Sequence, residues 1–151
     1  MESNMFCYQC QETAGCTGCT RVGVCGKQPE VAALQDLLVY VTKGMSAVTT
    51  QLRAEGTPVD PETNHWVTLN LFLTITNANF DDDILAERIR MTCKAKKELA
   101  ATLGDKTGLS DAALWDAADK SAMLAKAGTV GVMATTDDDV RCLRWLITFG
   151  L

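Results

Sequence analysis

Residues 29–53 read PEVAALQDLLVYVTKGMSAVTTQLR, and within them Val31, Leu34, Leu38, Val41, Met45, Val48 and Leu52 recur at alternating spacings of three and four. That period draws one apolar stripe down about seven turns of α-helix. Pro29 suits the first turn, where its missing N–H costs nothing. Leu and Val carry no chemistry of their own, so the stripe is a core stripe.

Downstream, residues 67–76 alternate with period two and are rich in β-branched types, which alone suggests a strand. Asp60, Pro61 and Glu62 argue the other way, as an N-cap, a first-turn proline and a first-turn acid. Trp66, Leu69 and Leu73 fit a helical stripe, so the segment is read as a buried helix. A third helix is expected from about Asp81 to Leu103, opened by three aspartates at the positive end of the helix dipole and closed by Gly104. Leu85, Ile89, Leu99 and Leu103 mark its inner face, and Cys93 shares that face as a small buried apolar residue. The basic run over 88–97 on the same helix reads as a solvated face, since no aromatic residues interleave with it. Ser110 and Asp111 open a short helical stretch that continues, with a break, to Gly128.

The expected fold is all-α: an antiparallel three-helix bundle with peripheral short helices, preceded by an N-terminal cysteine-rich loop. The expected division is a loop over 1–28, a helical bundle over 29–135 and the start of a further helix over 136–151. Thr136 and Asp137 to Asp139 open that last helix, and Val140, Leu143 and Ile147 carry its stripe, but no closing cap follows. Its leucine and aromatic placement over 143–149 repeats that of 34–40, so the chain is expected to be cut inside a helix.

With 151 residues, 47% hydrophobic and 22% charged, the chain can bury one ordinary core. A net charge of -5 argues against nucleic acid, which needs a basic face. No uncharged apolar run reaches about eighteen residues, and the opening MESNMFCYQC lacks the basic and apolar regions of a leader. The expectation is a cytoplasmic chain without membrane contact, its cysteines reduced.

Five of the seven cysteines, Cys7, Cys10, Cys16, Cys19 and Cys25, fall in MFCYQCQETAGCTGCTRVGVCG. In a reducing compartment such a cluster holds a soft metal rather than disulfides. Cys7, Cys10, Cys19 and Cys25 give C-x2-C-x8-C-x5-C, in which a tight pair approaches the metal and a longer loop closes the other side. Four thiolates suit an iron–sulfur cubane or tetrahedral zinc. A second tight pair, Cys16 with Cys19, keeps zinc open.

The stretch 5–38, MFCYQCQETAGCTGCTRVGVCGKQPEVAALQDLL, closely resembles the start of the hybrid cluster protein family, also called prismane proteins or hydroxylamine reductases. It shares the MFCxQCQET opening, TGCT, CGK and the LQDLL of the next helix, and TTDDDVRCLRWLITFGL over 135–151 extends the likeness. The resemblance implies that Cys7, Cys10, Cys19 and Cys25 are the ligands of a proximal cluster, with gaps of the 4Fe–4S class. It implies an electron-transfer domain, fed by a donor reductase, that relays electrons to a hybrid iron–sulfur–oxygen cluster. That hybrid cluster is held by residues far downstream, in the remainder of a longer protein, and is not expected here: His65, Cys93 and Cys142 are too few and too scattered. The chain alone is therefore not expected to be catalytic. Two other readings stay in view, a structural zinc domain and an iron–sulfur module sensing redox state, oxygen or nitric oxide. Cys16 departs from the family pattern and reads as an adventitious thiol, His65 as a partly exposed residue of the second helix. Glu12 and Thr13 match the family without a role legible in sequence. Lys27, Arg21 and the backbone N–H groups of Gly23, Gly26 and the helix after Pro29 are expected around the sulfurs, close to the surface.

Overall fold

A computed structural model describes residues 5–75 and 79–150 of the chain. It is all-helical: α1 (Pro29–Ala54), α2 (Pro61–Ile75), α3 (Asp82–Ala101), α4 (Asp111–Leu114), α5 (Lys120–Val130) and α6 (Asp138–Gly150), with one 3-10 turn at Ala14–Cys16. No strand occurs among the described residues.

Helix α1 is the hub, packing against α2, α3, α4 and α5. Its expected stripe is buried, but so are Gln35, Leu37, Thr42, Gly44 and Thr49, which lie off it. One amphipathic stripe would serve a helix at the edge of a bundle; α1 is covered on several sides and buries polar residues as well. Gly44 lets α4 approach: a Cβ there would sit 1.9 Å from the Ala112 carbonyl oxygen. Val31, Leu34, Leu37, Leu38 and Val41 meet Leu85, Ile89 and Cys93 of α3 and Met123 and Ala127 of α5 in the main core. Val48 and Leu52 meet Leu103 and Ala113 in a second cluster.

Residues 67–75 are helical, as the start signal indicated, but α2 is not the buried helix expected: over 61–74 only two positions are buried and the rest are half-buried or exposed. Its most buried positions are Asn70 and Thr74, four residues apart and polar. Asn70 Nδ2 donates to Thr42 Oγ1 of α1 and Thr92 Oγ1 of α3, each at 3.0 Å, and Trp66 Nε1 also reaches Thr92 Oγ1 at 3.0 Å. A polar seam of this kind does not register as an apolar stripe. Thr76, the last residue of the alternating run, lies outside the described residues.

Asp81 caps α3, accepting from the N–H groups of Asp83 and Ile84 at 3.0 Å. Leu85, Ile89 and Cys93 face inward as expected. The helix ends at Ala101, two residues before the expected Leu103, although Leu103 is buried. The basic run is not wholly a solvated face. Lys96 is 2% exposed and donates to the carbonyls of Ala112 and Trp115, both at 2.7 Å, which closes the end of α4. Arg88 lies 3.7 Å over the Trp66 ring and donates to Asn70 Oδ1. The aromatic partner comes from another helix, so it could not interleave in sequence.

The expected break between α4 and α5 falls between Leu114 and Lys120, and Asp119 caps α5 through the Ala122 N–H. Asp137 caps α6, accepting from the N–H groups of Asp139 and Val140. Helix α6 is tied back by Arg144 Nη1 to the Gly131 carbonyl at 2.7 Å and by Trp145 against the Tyr8 ring, 5.2 Å between centroids. Among the described residues no helix is long and apolar enough to cross a membrane.

Candidate metal centre

The cysteine loop over residues 5–28 folds back on itself before entering α1. Its fixed point is an isolated antiparallel bridge between Cys7 and Cys19. Thr13 reinforces the bridge: its hydroxyl donates to the Cys7 carbonyl at 3.1 Å and stands 3.7 Å from Cys19 Sγ. That gives Thr13 a role the sequence did not disclose, whereas Glu12 is exposed.

Cys19 is buried, and its sulfur is served by hydrogen-bond donors. The Ala14 N–H reaches Cys19 Sγ at 3.4 Å. The thiol is held below its ordinary pKa by that N–H first and by the Val24 N–H next, with smaller help from Thr13 and the positive charge of Lys27, against the opposing effect of burial. Donors aimed at a sulfur favour the thiolate, the form that ligates metal.

The second half of the loop is a turn around Cys25. The Gly23 N–H donates to the Lys27 carbonyl and the Gly26 N–H to the Gly23 carbonyl, both at 2.8 Å. The N–H groups of both glycines are thus spent on the turn, and the sulfur donors found are Ala14 and Val24, not the expected glycines. Lys27 is 1% exposed, with Nζ 3.8 Å from Cys7 Sγ and 3.4 Å from Gln9 Oε1. Arg21 is exposed.

The four sequence-assigned ligands therefore differ in placement. Cys7 and Cys19 lie side by side, Cys10 is half-buried, and Cys25 is exposed on its turn. Among the described residues no three His, Cys, Asp or Glu side chains converge on one point, so Cys10 and Cys25 are not gathered with the pair. The donor set nonetheless fits a thiolate-ligated cluster in its chemistry: soft sulfurs, N–H groups pointed at one of them and a cation beside another. Cys16 is exposed with φ 59°. All seven cysteines are free thiols. Cys93 is 1% exposed in the core, and burial pushes its thiol pKa up, which suits the structural role read for it. His65 is exposed on α2 and Cys142 on α6.

Residues 5–151 match the Prismane/CO dehydrogenase family. The chain belongs to that family. It is 76% identical over 151 residues to a hydroxylamine reductase of Desulfovibrio desulfuricans, covering 100% of the chain and 28% of that relative. A hydroxylamine reductase of Clostridium perfringens is 47% identical over 154 residues, covering 98% of the chain and 28% of the relative. A third, from Acetivibrio thermocellus, is 47% identical over 148 residues, covering 98% and 27%. The resemblance read in residues 5–38 thus holds along nearly the whole chain, which spans less than a third of the length of these relatives.

Proposed function

We propose that residues 5–28 hold a 4Fe–4S cluster through Cys7, Cys10, Cys19 and Cys25, and that the domain relays electrons inside a hybrid cluster protein. The observation that carries the reading is the Cys7–Cys19 bridge, with N–H donors on one sulfur and the Lys27 ammonium on the other. A thiolate-held cubane supplies one-electron storage and transfer. The chain's own residues do the rest. The bridge pairs the backbones of Cys7 and Cys19, the Ala14 N–H polarises the Cys19 sulfur, and the Gly23–Lys27 turn presents Cys25 at the surface, where a redox partner can approach.

In this reading the loop over 1–28 is the redox unit, the helices over 29–135 are its scaffold with α1, α2 and α3 as a three-helix bundle, and 136–151 leads toward the rest of a longer cytoplasmic protein. A donor reductase supplies electrons, and reduction of a nitrogen oxide such as hydroxylamine occurs elsewhere in that protein. A zinc knuckle from Cys16 and Cys19 is less well supported, because the backbone bridge pairs Cys19 with Cys7 rather than with Cys16, which sits on the 3-10 turn.

The test is anaerobic purification with iron, acid-labile sulfide and zinc quantified against protein, alongside the absorption spectrum. A brown chain with about four irons is expected. A colourless chain with one zinc would overturn the reading.

A further inference from the structure

Lys27 is buried to 1% exposure, yet among the described residues no carboxylate forms an ion pair with it. Its Nζ donates to the Cys7 sulfur at 3.8 Å and to the Gln9 amide oxygen at 3.4 Å. An ammonium out of water is strongly unfavourable without compensating charge or hydrogen bonds. A neutral amide and a thiol compensate poorly; an anionic sulfur beside Nζ compensates well.

The backbone places Lys27 there deliberately. The hydrogen bonds from Gly23 N–H to Lys27 O and from Gly26 N–H to Gly23 O reverse the chain around Cys25 and turn Lys27 inward, two residues before α1 begins. A Cβ on Gly23 would lie 2.9 Å from Lys27 Cβ and 3.1 Å from both Lys27 N and Cys25 Sγ, so the tight turn needs glycine at this point. The same charge reaches α1, where it opposes the effect of burial on the Asp36 carboxyl.

We propose that Lys27 is the fixed positive charge that sets the reduction potential of the cluster held by this loop, acting through its contact with the Cys7 sulfur. The inference rests on the cluster reading above and adds a residue that touches no iron. Reduction adds one electron's charge to the thiolate-bound centre. A buried cation beside a ligand sulfur stabilises the reduced form more than the oxidised one and so raises the potential. Lys27 is in these terms a positioning and tuning residue.

The experiment compares wild type, Lys27→Met and Lys27→Arg, each prepared anaerobically, by iron content and by potentiometric titration followed by electron paramagnetic resonance. Lys27→Met keeps the stem and removes the charge. It is expected to lower the ratio of reduced to oxidised cluster at a fixed potential by at least tenfold, about 59 mV for a one-electron couple. Lys27→Arg is expected to stay close to wild type. Loss of the cluster in Lys27→Met with retention and a near-native potential in Lys27→Arg also supports the assignment, since both replace the native side chain and only Lys27→Arg keeps its positive charge. Equal potentials in all three, or equal cluster loss in both variants, would reduce Lys27 to a packing role and overturn it. A wild type that takes up no iron overturns the cluster reading itself, whereas a loaded wild type with unshifted variants overturns only the role of Lys27.

Discussion

Cys7 and Cys19 exchange both of their backbone hydrogen bonds, Cys7 N to Cys19 O at 3.0 Å and Cys19 N to Cys7 O at 2.7 Å. The bridge sets Cys7 and Cys19 side by side at the base of the loop, with Cys10 half-buried and Cys25 exposed on the arms beyond it. Cys16 stands outside it, exposed on the 3-10 turn. Cys16→Ser is therefore expected to keep its iron, while Cys7→Ser, Cys10→Ser, Cys19→Ser and Cys25→Ser each lose or alter the cluster. Iron and sulfide content of the five variants checks this, and iron loss in Cys16→Ser equal to the others would show the ligand set is misassigned.

The helices should outlast the metal. The loop contributes Met5 and Cys19 to a small cluster with Ala32, whereas the two larger clusters draw only on residues of the helices and the segments between them. Burial at roughly 25 cal/mol per Å² of apolar area is thus concentrated away from the cysteines. Circular dichroism after anaerobic chelation is expected to retain most of the helical signal. Collapse of that signal would place the protein among the small domains folded by their metal.

The contact between α1 and α4 gives a packing prediction. Gly44→Ala would drive a methyl group into the Ala112 carbonyl, with backbone rather than a flexible side chain as the obstacle. A loss of about 1–3 kcal/mol is expected in chemical denaturation, the cost typical of forcing extra carbon into a packed contact. An unchanged midpoint would mean that α4 moves aside freely.

The comparison between sequence and structure turns on what each residue's period reports. Helix α1 was legible because its apolar residues repeat every three and four positions, but that pattern sees one stripe, and Gln35, Thr42 and Thr49 are buried off it. In α2 the inward residues Asn70 and Thr74 are polar, so the Asp60-Pro61-Glu62 start marked the helix, while the Trp66, Leu69 and Leu73 stripe that also suggested it is only half-buried. Lys96 and Arg88 look solvated in sequence because their partners, the Ala112 and Trp115 carbonyls and the Trp66 ring, come from other helices. At the site, cysteine spacing marked the loop as metal-binding but left Cys16 open as a ligand, and it was the family resemblance that implied Cys7, Cys10, Cys19 and Cys25. The donors to sulfur were not readable, because which N–H points at Cys19 depends on how the loop turns.

Asp36 should make stability depend on pH. It lines a cleft with Gln9, Tyr40, Lys43 and Arg144, and Gly131 at the end of α5 closes over it, so near that a Cβ there would lie 2.9 Å from Asp36 Oδ2. Burial pushes its pKa up to about 7, against the opposing pull of Lys27. A carboxyl that holds its proton more tightly when folded costs stability on ionising: the cost is absent below about pH 4, grows toward pH 7 and is full above it. Asp36→Asn removes the ionisation, so its denaturation midpoint relative to wild type should rise between pH 5 and pH 8. A constant difference across that range would mean the carboxyl titrates normally.

Cysteine alkylation offers a test that separates the seven thiols in one experiment. In the iron-loaded chain, iodoacetamide followed by peptide mass spectrometry is expected to label Cys16 and Cys142, both exposed. Cys93 should be spared because it is 1% exposed and burial raises its pKa, leaving little thiolate to react. Cys7, Cys10, Cys19 and Cys25 should be spared for a different reason, ligation, so that Cys7, Cys10 and Cys25 become reactive once iron is removed while the buried Cys19 and Cys93 react slowly or not at all. Protection of Cys16 together with labelling of Cys19 or Cys25 in the loaded chain would move the metal to a different set of sulfurs. Labelling of Cys93 under native conditions would instead show that α3 does not seal the core against α1.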